Sequence, residues 1–329
     1  MPAPSEDLAA LRQIVARELR EPIRPGPAWL AQQIASRHPE AVLGVLFYGS
    51  CLRAETDEGV LDFWVVVDRY RSTYGNPLLA LANAIAPPNV FYLECEHEGR
   101  TLRTKYGVIS RRDFARGTAL SAWHPYVWAR FAQPVRALCV RDEDARTFLE
   151  GRIAEAVVTM VGRLVMLLPE RNGVLRFSLA AFWQEAFRRT YDSERRPEAE
   201  ESILSLYRAD PERYDAVGYL ALRELARRGH LRAATEHPRS FEVELAPRRR
   251  ALGRLRWRLM RPFARTLGLV RLFKTAFTFG DWVPYVLWKL ERHTGRRIEL
   301  TERQRRHPLV YGWPVILPLI RRRSLRDGD

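Results

Sequence analysis

Residues 41–70 read AVLGVLFYGSCLRAETDEGVLDFWVVVDRY. Two apolar runs, Val42–Tyr48 and Val60–Val67, are rich in β-branched and aromatic residues, have strand length, and are bounded by turn-forming or charged residues. Gly49-Ser50 closes the first run, and a polar connection leads to Asp62 in the second. A glycine there lets the backbone approach a ligand with no Cβ in the way, while the serine hydroxyl and nearby N–H groups suit phosphate oxygens. A carboxylate on the next strand suits Mg²⁺, which bridges phosphates and offsets the charge of a leaving group. Gly49 and Ser50, with Tyr48 before them, are therefore candidate nucleotide-binding residues, and Asp62 a candidate catalytic metal ligand. The plainer reading of the same residues is a Gly-Ser turn and a turn-forming aspartate.

Working outward, Asn76–Ala86 predicts a helix stopped by Pro87-Pro88, and Val90–Glu96 and Arg103–Ser110 predict strands joined at Glu98-Gly99. Alternation puts Tyr92, Glu94 and Glu96 on one face, so Glu94 or Glu96 is a candidate second metal ligand, with Glu94 put first; the plainer reading is a solvated strand face. Along the Asp62 strand itself, the slot for a second carboxylate holds Trp64. Asp68 lies six residues from Asp62, roughly 20 Å along a regular strand, too far to share one ion with it. Lys105 opens the segment KYGVIS and is a candidate point charge for phosphate. An arginine-rich helix, the stretch Trp123–Arg130 and a short strand Val135–Val140 follow.

In order, these are Tyr48-Gly49-Ser50, Asp62-Phe63, Lys105 to Ser110, then Trp123, Tyr126 and Arg130 with Pro134-Val135, and Leu167 to Glu170. The series, over roughly Leu43 to Glu170, resembles the mitochondrial-type phosphatidate cytidylyltransferase (translocator assembly and maintenance) family, in a bacterial style. The resemblance implies an α+β protein: a polymerase-β-like nucleotidyltransferase domain with N-terminal helices over 1–142, a helical, winged-helix-like domain over 143–240, and a basic amphipathic segment over 241–329. It implies transfer of CMP from CTP to phosphatidic acid with Mg²⁺, with Tyr126 and Arg130 joining the nucleotide-binding residues. Glu194 and Arg196 fall where the family carries a Gly-Asp-x-Arg element. A nucleotidyltransferase with another acceptor, or an inactive relative that binds lipid or nucleic acid, stays open.

Charge supports an anionic partner independently. The 329 residues carry a formal charge of +15 with 47% hydrophobic content, which suits nucleotides, nucleic acid or an acidic membrane. From Leu245 to Gly280 there is no acidic residue, while Leu252, Leu255, Leu259, Phe263, Leu267, Val270 and Phe273 recur at helical spacing among arginines. That pattern predicts an interfacial helix in which Arg254, Arg258, Arg261, Phe263, Arg265 and Phe273 meet an anionic membrane. Apolar residues gathered on one face favour lipid over the spread stacking platforms of a nucleic-acid surface. Trp282, Trp288, Trp313 and Ile316–Ile320 extend that character. Elsewhere in the second half, Glu143–Leu168, Leu175–Tyr191, Glu198–Tyr207 and Ala216–Arg228 predict helices.

No apolar run reaches the length of a membrane span. Ser5 ahead of Leu8, Leu11, Ile14 and Val15 predicts a capped amphipathic helix in place of a signal segment. Three scattered cysteines point to a reducing compartment. The expectation is a cytoplasmic protein, peripheral on the inner face of the cell membrane. Cys51 has no histidine near it in sequence to activate it as a nucleophile.

Overall fold

A computed structural model describes residues 5–194, 200–237 and 240–278. The first half runs α1 (Glu6–Arg20), α2 (Pro25–Ser36), β1 (Val42–Tyr48), α3 (Ser50–Arg53), β2 (Val60–Val67), α4 (Tyr70–Thr73), α5 (Pro77–Ile85), β3 (Asn89–His97), β4 (Arg100–Ser110), α6 (Arg111–Thr118), α7 (Trp128–Phe131) and β5 (Val135–Leu138). The second runs α8 (Glu143–Leu164), β6 (Val174–Ser178), α9 (Leu179–Ser193), α10 (Glu200–Arg208), α11 (Pro211–Arg227), β7 (Arg232–His237), β8 (Ser240–Glu244) and α12 (Pro247–Thr278). The fold is α+β. A mixed sheet takes the order β3-β4-β2-β1-β5, with β2 and β4 parallel and its other pairs antiparallel.

The alternation along β2 builds two cores. Leu61, Phe63, Val65 and Val67 face one side, against Leu30 and Ile34 of α2. Trp64 and Val66 face the other, against Leu11 and Val15 of α1 and Phe131 of α7. Asp62 belongs by its period to this second face, at the end where the apolar cover stops. The same core continues through α8, whose Ala154, Ala156, Val157, Val158, Met160 and Val161 are all buried, into α9 and α11. α1 is tied to α11 by Arg213, which donates to both oxygens of Glu18 (2.5 and 3.1 Å) and to the Ala132 carbonyl.

The Leu175–Tyr191 prediction differs from the structure. Val174–Ser178 is a strand, antiparallel to β8, and the helix starts only at Leu179, where the Ser178 hydroxyl accepts from the Ala181 N–H. Phe177 lies opposite Phe241, a partner more than sixty residues away, so the pairing is invisible to local periodicity. With β7 it forms a second sheet of order β6-β8-β7 around α9–α11.

α12 has two faces. Arg250, Met260, Ala264 and Arg271 are buried against the body, and Gly253 approaches Met166 so closely that a Cβ would collide with its sulfur. The opposite stripe of Leu252, Leu255, Leu259, Phe263, Leu269 and Val270 is exposed. Leu78, Leu81 and Ile85 of α5 are exposed as well, and Lys274 joins the two helices by donating to the Ala82 and Ala86 carbonyls. Trp282, Trp288, Trp313, Ile316–Ile320, Arg196 and the Phe273 side chain lie outside the described residues. Among the described residues, no helix is long and apolar enough to cross a membrane.

Candidate active site

Pairing of β1, β2, β4 and β3 sets Tyr48, Asp62, Lys105 and Tyr92 opposite one another in a single row. Opposed residues share a sheet face, so four side chains far apart in sequence point the same way. Lys105 Nζ stands 3.0 Å from Asp62 Oδ1. Gly49 closes β1 with φ +95°, where L side chains are strained, and a Cβ there would lie 3.0 Å from Asp62 Oδ2. Glycine is thus required both by the backbone conformation and by the closeness of the turn to the carboxylate. Ser50 follows as the first residue of α3 and is exposed. The turn and the aspartate, separated by the eleven residues 51–61, therefore converge.

Trp64 fills the slot of a second carboxylate with a buried indole. Its Nε1–H donates to the Tyr48 hydroxyl at 3.3 Å, and its ring meets Phe131 edge-on, with centroids 5.2 Å apart. Burial, then the charge of Asp62, push the Tyr48 phenol above its ordinary value, so at neutral pH it is a hydroxyl that can donate. Glu94 is not brought to Asp62. It sits two strands away, opposite Arg103, from which it accepts at 3.2 Å, and it also accepts from Tyr92 at 2.7 Å. Cys51 is buried, its sulfur facing the Glu58 and Val60 carbonyls, as a packed core thiol would be.

Among the described residues, no three His, Cys, Asp or Glu side chains gather to hold a metal ion. One carboxylate is nonetheless what Mg²⁺ needs when nucleotide phosphates supply its other ligands. Asp62 fits an ion carried in on a nucleotide, and does not fit one held by protein groups alone.

Beside this row, on the same face, lies a cavity of about 200 Å³ lined by His124, Tyr126, Arg130, Glu194, Gly268 and Arg271. The Tyr126 ring sits 5.8 Å from that of Trp64, two residues along β2 from Asp62. The guanidiniums of Arg130 and Arg271 lie 3.9 and 3.7 Å from the Tyr126 centroid. Both cations therefore stack on the ring and are held by its π-face. Arg130 donates bidentately to Glu194 at 3.0 and 2.9 Å. Burial raises the Glu194 carboxyl above the usual range, against the opposing pull of Arg130 and Arg271. Arg271 Nε–H donates to the Pro87 carbonyl at 2.8 Å.

His124 is neutral here: burial, then Arg271 and Arg130, lower it to about 3. A histidine depressed in the folded state binds fewer protons than in the unfolded one between about pH 3 and 6.5, so its contribution to stability is lost as pH falls through that window. His124→Gln is expected to remove up to about 1.4 kcal/mol per pH unit of this acid destabilisation. Thermal unfolding of both proteins from pH 7 to 4 checks it; parallel curves would refute the assignment.

Of the arginines expected at a membrane, Arg254 and Arg258 are exposed. Arg254 faces the Leu168 carbonyl at 3.5 Å, while Arg261 and Arg265 pair with Asp192. Sequence reasoning missed Arg271, His124 and Gly268 at the cavity, and the apolar face of α5. Spacing of Leu78, Leu81 and Ile85 at i, i+3 and i+7 was the available signal for the last. No local signal marks Arg271 as a partner of Tyr126. No protein-family model matches this chain, and no curated protein does.

Proposed function

We propose that this chain is a nucleotidyltransferase working at a membrane surface, a phosphatidate cytidylyltransferase that converts CTP and phosphatidic acid into CDP-diacylglycerol and pyrophosphate. The observation that carries the reading is the Gly49 turn packed against Asp62, with Lys105 3.0 Å away in the same row. A mixed sheet with Gly-Ser ending one strand and an aspartate on its antiparallel neighbour is the layout of polymerase-β-like enzymes. The β6-β8-β7 sheet around α9–α11 suits a winged-helix-like unit. The choice of CTP and of phosphatidic acid comes from the resemblance of the YGS, DF and KYGVIS segments.

In this reading, the open Gly49-Ser50 backbone and the Ser50 hydroxyl bond the triphosphate. Lys105 exchanges its contact with Asp62 for phosphate oxygens, freeing the carboxylate. Mg²⁺ on Asp62 would supply charge compensation for the departing pyrophosphate. A phosphate oxygen of phosphatidic acid attacks the α-phosphorus, the new P–O–P bond forms, and the bond to the β-phosphate breaks in line. The attacking group is already an anion, so positioning and charge compensation provide the acceleration without a general base.

Membrane attachment is supported by the exposed apolar stripe of α12 and by the exposed apolar face of α5, the helix whose carbonyls Lys274 contacts. Such faces suit the headgroup boundary of an anionic bilayer, with Arg258 at its edge. The triple substitution Leu252→Ser/Leu255→Ser/Leu259→Ser is expected to weaken binding to anionic vesicles by about 100-fold or more, since each inserted leucine is worth ~1.5–3 kcal/mol. The unfolding temperature should not change, because these side chains touch solvent. Vesicle co-sedimentation checks it, and undiminished binding would dismiss the stripe as the docking face.

Incubation with labelled CTP, Mg²⁺ and phosphatidic acid vesicles, against RNA as a second acceptor, tests the function. Labelled CDP-diacylglycerol supports it; label on RNA assigns another acceptor. Vesicle binding with no transfer favours an inactive relative, the reading that Trp64 in the second carboxylate slot supports.

A further inference from the structure

Among the described residues, the lining of the cavity beside the Asp62 row carries more positive than negative charge in a largely buried setting. Arg130 and Arg271 stand against one carboxylate, Glu194, and His124 adds none at neutral pH. Glu194 takes both donors of one edge of Arg130 and so fixes that guanidinium in place. Tyr126 draws the two guanidiniums to one ring, 3.9 and 3.7 Å from its centroid, and so places Arg271 beside the anchored Arg130. A guanidinium fork matches the oxygens of a phosphate better than a flexible ammonium does, and Arg130 has already committed its fork to Glu194, so Arg271 is the residue on which phosphate recognition turns. About 200 Å³ accommodates a tetrahedral oxyanion with several waters, each needing ~30 Å³.

Position gives the site a role. Tyr126 neighbours Trp64, which follows Asp62 by two residues on the same face, roughly 7 Å along the strand. Two places for phosphate therefore lie side by side: the Gly49-Ser50 turn with Lys105, and the arginine cavity. The second is built partly by α12, the helix whose outer stripe is exposed and apolar.

We propose that this cavity, whose Tyr126 and Arg130 the resemblance gave to the nucleotide, is instead a separate subsite for a phosphomonoester dianion, with Arg271 of α12 as a binding residue, and that it seats the phosphate of the acceptor. The acceptor role rests on the transferase reading above; the binding of a phosphomonoester does not. The acceptor phosphate thus reaches the nucleotide from the α12 side, so the element that faces lipid also completes the site.

The test is titration calorimetry on the full chain with glycerol 3-phosphate, dihexanoyl phosphatidic acid and dihexanoyl phosphatidylcholine, and separately with Mg²⁺–CTP. Arg271→Gln removes the cation. Gly268→Glu sets a carboxylate at the cavity rim, where a Cβ meets nothing within 4 Å, so it folds even if the first variant does not. Each is expected to weaken both phosphomonoesters by about tenfold or more, the scale of a lost charge-assisted contact, while Mg²⁺–CTP affinity holds. The phosphodiester lipid should not compete. Binding of both phosphomonoesters supports the site with a lipid acceptor; binding of glycerol 3-phosphate alone supports it with a soluble one. The proposal is overturned if wild type binds neither, if a folded variant binds as well as wild type, if phosphatidylcholine binds equally, or if CTP affinity falls in step. Loss of phosphomonoester binding in the variants of a chain that never turns over CTP would leave the subsite standing and reject the transferase reading.

Discussion

Asp62→Asn is expected to lower CMP transfer by about 10³-fold or more, the rate equivalent of ~4 kcal/mol of lost charge stabilisation. The substitution is nearly isosteric, so the turn at Gly49 keeps its packing partner. Its stability cost is small. The Asp62–Lys105 pair has side chains 19% and 42% exposed, and ion pairs so placed contribute at most about 1 kcal/mol. Activity and fold therefore separate: turnover collapses while the unfolding temperature shifts by a few degrees at most. Single-turnover assays with labelled CTP, run beside thermal unfolding, read both. Residual activity near wild type would remove Asp62 from the chemistry, and with it the metal reading, because no other carboxylate joins it in the Tyr48–Tyr92 row.

The second large effect concerns stability. Arg130→Met should cost ~3–5 kcal/mol, because it removes the bidentate cation of the Glu194 carboxylate, which is only 11% exposed. Without Arg130, the carboxyl moves further above its usual range. An acid whose pKa is raised by folding stabilises less as pH rises, so the deficit should grow from pH 5 to pH 8. Adding Glu194→Leu should recover most of the loss, since a well-packed apolar replacement of a buried pair is near neutral. Urea unfolding of the single and double variants at both pH values measures this. A single variant as stable as wild type, or a double variant no better than the single, would show that the pair does not bear on the fold. Activity need not return in the double variant, because Arg130 also lines the cavity.

Truncation at Arg248 is a poorer probe of membrane attachment than the leucine triple. Deleting α12 also strips Met260 and Ala264 from the core surface and Arg271 from Tyr126. Loss of activity would then have three causes at once. Substitutions on the outer stripe change lipid contact alone.

The strands β1 and β2 occupy the residues that their apolar runs predict, and the Ser5 cap, the Glu98-Gly99 turn and α12 through Thr278 follow local patterns equally well. These features rest on short-range physics: side-chain alternation, turn conformations and capping hydrogen bonds. The strand β6 was not legible, because Phe177 finds its partner across the chain in Phe241.

What the sequence determined by itself is the chemistry on offer: a glycine turn, one aspartate, one lysine on a neighbouring strand, and a helix with a basic, apolar pattern. Period two put Asp62 on one definite face of its strand, and composition made the chain cationic. Only tertiary structure decided which groups meet. Parallel pairing of β2 with β4 set Lys105 against Asp62 and left Glu94 two strands away with Arg103. Packing of α12 brought Arg271 over Tyr126, and the end of α9 brought Glu194 to Arg130. Register and helix packing are settled by the burial of whole faces at once, a long-range balance that no local window of residues contains.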